Sequence, residues 1–239
     1  MHPSPSLVRW MLDIFLEPAA AMRLLRDRPP LLAIYFASSI LFASLSWTIL
    51  SVNERAMARL LADGARPVLK EQSRQAIHRE KLIRVVGAPM EIGLDASAAM
   101  IALIAGSWLN GRSPPFRSMI AAAIAAEAPQ LLSLAIDLER LWNDGPEITL
   151  DLRPLVQCNT SLGAFVSLDA RPPAVQSAAE EISPFTVWSS GLTGIAFREL
   201  GGASRKSAGV VSCAAWILRL AIAAARALAA LELRRRGVF

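Results

Sequence analysis

The chain has 239 residues and a mass of 25.8 kDa; 54% of its residues are apolar, only 19% are charged, and its mean hydropathy is +0.40. So few charges cannot cover the surface of a soluble domain of this size. The composition excludes a disordered chain, a fibrous repeat and a secreted disulfide scaffold, and indicates an integral membrane protein. Cys158 and Cys213 are its only cysteines, too few for a disulfide framework or a cysteine-based zinc site. A net charge of +5 fits a nucleic-acid binder less well than it fits arginines flanking membrane spans. No basic run carries the interleaved aromatics that stack on bases, so no nucleic-acid partner is expected.

Residues 1–30 read as a juxtamembrane segment. Leu7, Val8, Trp10, Met11, Ile14 and Phe15 recur at helical spacing, with Arg9, Asp13 and Glu17 on other faces. Pro18 interrupts, and Met22, Leu24 and Leu25 then alternate with Arg23, Arg26 and Arg28. This pattern predicts an amphipathic helix lying in the membrane interface. The competing reading is a helix packed on the protein's own surface.

A spanning helix needs about 20 mostly apolar residues. Leu31 to Val52 supplies 22 without a charge, after the start signal Pro29-Pro30. Asn53 to Arg84 carries eight Lys/Arg and four Asp/Glu and reads as a solvated helix. The second span, about 85–109, must take in Asp95 and Glu91, because Ala96 to Leu109 is only 14 residues long. The third, about 118–137, has Glu127 at its centre and Pro129 two residues later. Glu139 to Glu181 is an acidic connection. The fourth span, about 184–200, has Ser183 as N-cap, Pro184 in its first turn and Gly201-Gly202 as its stop. The fifth, about 207–231, is interrupted by Arg219 and Arg226. Five spans are expected, with four as the alternative. Counting basic residues on the two sides, nine against fourteen, opposes a cytoplasmic amino terminus, whereas short-loop density and the acidic connection favour it.

The chemistry-bearing residues are the charges inside these spans. His2 and His78 both fall outside them, which removes a histidine-zinc site or an intramembrane serine–histidine pair. No phosphate-binding glycine loop is present. Catalytic, cofactor-binding and metal-binding residues are therefore not expected, and no enzymatic activity is. A charge near the bilayer centre costs about 2.5–3.5 kcal/mol on insertion scales, so it faces a partner or a water-filled cavity. Glu127 and Arg219 are the candidate intramembrane pair, joining the third and fifth spans. Glu91 and Asp95, four apart, share one helix face, and Arg226 lies two turns beyond Arg219. These charges serve either a structural ion pair or a proton, ion or polar-lipid path. Ala121 and Ala125, Ala122 and Ala126, and Ala221, Ala225 and Ala229 form small-residue stripes suited to close helix approach.

Phe116-Arg117-Ser118, followed by an alanine-rich span containing Ala128-Pro129-Gln130-Leu131-Leu132, resembles the third-span signature of the Yip domain family (Ypt/Rab-interacting proteins) in its bacterial branch. Ser183-Pro184-Phe185-Thr186-Val187-Trp188, Gly191, Gly194 and Ser204-Arg205-Lys206-Ser207-Ala208 resemble its fourth span, short loop and fifth span. Ile14-Phe15-Leu16-Glu17-Pro18 and Arg28-Pro29-Pro30-Leu31-Leu32 are similar to its juxtamembrane opening. The resemblance implies a five-helix membrane domain over residues 31–239 and a cytoplasmic amino terminus, in a bacterial inner membrane. It also implies a non-enzymatic adaptor or accessory subunit working through a membrane-protein partner or a second copy. Small-GTPase contact follows only by analogy with eukaryotic members. A small transporter or channel component using Glu127, Glu91 and Asp95 is the alternative.

Overall fold

The computed structural model describes residues 7–26, 29–62, 67–111, 114–144, 161–162 and 172–236; Cys158 and most of the acidic connection lie outside them. Among the described residues the chain forms nine helices and no strand. The all-α membrane bundle expected from composition is what the structure shows. The helices are α1 (Leu7–Leu16), α2 (Pro18–Leu24), α3 (Leu31–Ala62), α4 (Pro67–Leu109), α5 (Phe116–Ala125), α6 (Ala128–Asp144), α7 (Pro173–Glu180), α8 (Pro184–Gly201) and α9 (Arg205–Arg235).

Four stretches are long and apolar enough to cross a bilayer: Leu31–Val52, Val85–Leu109, Phe116–Trp142 and Arg205–Leu233. The helix expected as a further span, α8, is not among them. Arg198, Glu199 and its hydroxyl residues lower its hydropathy, and the structure explains how they are tolerated. Thr186, Ser189, Ser190 and Thr193 are all buried, because α2, α4, α5, α6 and α9 surround the helix. A helix enclosed by protein need not be apolar on every side. Its ends are capped within the chain: Ser183 Oγ accepts from the Thr186 amide at 3.2 Å, and Gly202 takes φ +59° after the last turn.

Close packing rests on small residues at particular points. A Cβ at Gly194 would stand 2.6 Å from the Ala208 carbonyl and against Ser212, so α8 and α9 meet backbone to backbone there. A Cβ at Gly106 would meet the Val211 side chain at 2.5 Å, so this glycine of α4 makes room for a side chain of α9. The stripe Ala121, Ala122, Ala125 and Ala126 is buried at the helix contacts. The stripe Ala221, Ala225 and Ala229 is not; all three face outward, and α9 packs instead through Val211, Ala215, Arg219 and Ala223. Four-residue spacing defines a face but not what lies opposite it.

The segment 53–84 is not a separate helix. It continues α3 for ten residues past Val52 and begins α4 eighteen residues before Val85. At 1.5 Å per residue these extensions reach about 15 and 27 Å beyond the apolar stretches. Lys81 clamps their base: it is buried, hydrogen-bonded to Glu54, and lies 5.1 Å from the centroid of the Trp47 ring.

The amino-terminal helices depart from the expected interfacial geometry. Trp10 and Ile14, predicted to face lipid, are buried in the protein core, and the Trp10 indole N–H donates to the Ala21 carbonyl at 3.1 Å. Phe15 meets Trp188 of α8 edge to face at 5.4 Å, and Arg23 pairs with Glu199 at 3.4 Å. The exposed apolar side chains here are Leu12, Leu16 and Leu24. The face read as membrane-directed is thus consumed by α2 and α8, with the Trp10 indole N–H satisfied inside the protein by the Ala21 carbonyl.

Candidate intramembrane charge cluster

The third span is broken where its charge sits. Pro129 has no N–H to give the Ala125 carbonyl, and α5 ends there. The chain turns tightly, with Glu127 N donating to the Ile124 carbonyl and Gln130 N to the Glu127 carbonyl, at 3.1 and 2.9 Å, before α6 resumes. A break of this kind is tolerated at membrane depth only inside protein. Residues 121–129 are all buried.

Glu127, 2% exposed, emerges at this turn and accepts a hydrogen bond from the buried Arg219 of α9. Its second oxygen, Oε2, has no hydrogen-bond partner among the described residues. Two turns further along α9, Arg226 Nη1 donates to Asp95 Oδ1 of α4 at 3.0 Å. Arg219 therefore ties α9 to the third span, and Arg226 ties it to α4.

Between them lies a cleft of about 260 Å³, lined by Phe42 of α3, Glu91 and Asp95 of α4, Gln130, Ser133, Leu134 and Asp137 of α6, Glu181 after α7, and Arg219 and Arg226. Its depth follows from helix rise. Asp95 and Arg219 each lie 14 residues, roughly 21 Å, from the ends Leu109 and Arg205. Those ends share one face, where Ser207 Oγ donates to Asn110 Oδ1 at 3.0 Å. Against an apolar core of about 30 Å, the cleft runs from past the midplane toward the opposite face, the one from which the α3–α4 hairpin projects. Burial pushes the Glu181 carboxyl up to about 7, with Arg219 pulling the other way.

The structure brings Glu127 and Arg219 together, sets Asp95 on Arg226, and places Glu91 on the same cleft. Gln130, Ser133, Asp137 and Glu181 were not singled out from sequence. Three of them had a signal: Glu127, Gln130, Ser133 and Asp137 recur at three- and four-residue spacing, a polar stripe along one face of an otherwise apolar helix. Glu181 had none, since it lies outside every apolar stretch. Among the described residues no group of three or more His, Cys, Asp or Glu is arranged to hold a metal ion.

The broken, charge-bearing third span and the enclosed α8 define a polytopic α-helical membrane protein whose polar groups face inward. The chain belongs to the Yip1 domain family, whose model matches residues 12–226. No curated protein and no solved structure matches it.

Proposed function

We propose that the protein is a non-enzymatic membrane adaptor or accessory subunit that works by binding another membrane protein. The observation that carries this reading is the α3–α4 hairpin. It projects about 27 Å beyond the bilayer on its longer arm, bears eight basic and four acidic residues between positions 53 and 84, and is clamped at its base by Lys81 and Glu54. A stiff, charged helix pair held at a fixed angle to the membrane is suited to docking a protein through complementary charge. Membership of the Yip1 domain family supports the same reading, since its eukaryotic members act as adaptors; a small-GTPase partner rests on that analogy alone. The proposed site is an inner membrane with the amino terminus cytoplasmic, which would turn the hairpin outward.

The test is a photo-crosslinking residue placed at His78 or Arg79, both exposed on the hairpin, in cells expressing the full chain. One membrane protein should be trapped reproducibly from these positions and not from lipid-facing Ile101. Crosslinks to lipid alone at all three positions would refute the reading. A second reading, a small transporter component, is favoured by the cleft itself. It requires a flux in proteoliposomes that Glu127→Gln abolishes without unfolding the protein.

A further inference from the structure

Glu181 enters the cleft from the corner between α7 and α8, and that corner is firmly built. Ile182 N donates to the Ala179 carbonyl at 3.2 Å and Ser183 N to the Glu181 carbonyl at 3.1 Å, while Ser183 and Thr186 close a reciprocal cap. The backbone on both sides of Glu181 is thereby fixed, and its side chain is held among charges from three other elements. These are Glu91 and Asp95 of α4, Asp137 of α6 and Arg219 and Arg226 of α9 in the cleft lining, with Glu127 of the third span acting on it electrostatically and Glu180 the preceding residue at the end of α7. Arg226 already holds Asp95, and Arg219 already holds Glu127. A further carboxylate charge in this enclosure has no guanidinium of its own within the cleft lining, and must either share Arg219 or be neutralised.

We propose that the cleft is a proton-binding site open toward the face opposite the amino terminus, with Glu181 as the acceptor and Arg219 as a guanidinium shared between Glu127 and Glu181. The step is simple: a proton from water on that face adds to the Glu181 carboxylate, and no other bond changes. With the proton bound, Arg219 belongs to Glu127. With the proton gone, Glu181 competes for it and the α7–α8 corner is drawn toward α9, against which α7 already packs. The upward displacement of the Glu181 carboxyl by burial places the exchange near neutrality. This goes beyond the adaptor reading and does not depend on it.

The test is an infrared titration of the full chain in lipid nanodiscs, following the C=O stretch of protonated carboxyl groups. The wild-type protein should release a proton with a midpoint near pH 7. That band should vanish in Glu181→Gln and persist in Glu180→Gln. Absence of any carboxyl titrating between about pH 6 and 8, a window around neutrality far above the usual carboxylate range, would overturn the proposal, as would a band that survives in Glu181→Gln. Should Glu181→Gln fail to fold, Glu181→Asp decides: a shifted midpoint supports the assignment, and an unshifted one refutes it. Failure to trap a partner on the hairpin would leave this titration unchanged, so the two readings fail separately.

Discussion

Arg219 meets Glu127 at the one point where the third span breaks its own hydrogen-bond ladder, two residues before Pro129. The two are 92 positions apart in sequence and come from two stretches that are each long and apolar enough to cross a bilayer. The break and the pair belong together. An unbroken helix would carry the Glu127 backbone in the regular ladder, whereas the turn swings it to the α9 side of a wholly buried segment.

The approach of α8 to α9 yields a sharp contrast between two glycines. At Gly194 an added methyl group meets the Ala208 carbonyl and Ser212; at Gly191, on the same helix, it meets nothing within 4 Å. Gly194→Ala should destabilise by about 1–3 kcal/mol through overpacking. Gly191→Ala should be neutral or stabilise by about 0.5–1 kcal/mol, the usual helical gain over glycine. Equilibrium unfolding in mixed detergent micelles measures both, and equal effects would contradict the packing.

Ser183 closes the cap of α8 through its side chain. Ser183→Ala should cost about 1 kcal/mol and Ser183→Asp should retain most of the stability. If the cap also fixes Glu181, the alanine variant should broaden the carboxyl titration described above.

The amino-terminal helices and α8 show where sequence reading reached its limit. Trp10 and Ile14 fall on an apolar face whose periodicity is plain, yet the same pattern serves lipid or protein equally. Only the meeting of Phe15 with Trp188 and of Arg23 with Glu199 decides for protein. The boundaries of α8 were legible from Ser183-Pro184 and Gly201-Gly202, but its enclosure was not, since hydropathy reports composition and not neighbours. The mid-span charges were legible because lipid makes them costly: Glu127 and Arg219 stand out against apolar surroundings in a way that a surface pair never would. Glu181 joins them through the packing of α7 on α9, a long-range contact without a local signature.

The Glu181 carboxyl gives the protein a pH dependence of defined sign. Its value in the folded protein, about 7, lies above the ordinary carboxylate value of 4.5, so the folded state holds the proton more tightly than the unfolded state does. The stabilisation is fully present below pH 4.5 and is lost as pH rises through about 7. Relative to Glu181→Gln, the wild-type chain should therefore lose stability across that interval. Parallel unfolding curves for the two proteins at both ends of it would contradict the assignment.

The hairpin geometry predicts sidedness. His78→Cys should react with a membrane-impermeant thiol reagent added from the face opposite the amino terminus. Cys213 is exposed on the surface of α9 within an apolar stretch, and should be protected by lipid from either side. Labelling of His78→Cys only from the amino-terminal face would mean that α3 does not cross the bilayer.

The coupling of Glu127 with Arg219 is measurable as a double-mutant cycle on unfolding free energy in mixed micelles. Glu127→Gln or Arg219→Gln alone should each destabilise by about 3–5 kcal/mol, because each strands a buried charge. The double variant should recover much of that loss, giving a coupling energy well beyond the roughly 0.5 kcal/mol scatter of independent sites. Additive losses, with the double variant as unstable as the two singles combined, would contradict the pair and with it the view that these charges hold the bundle together.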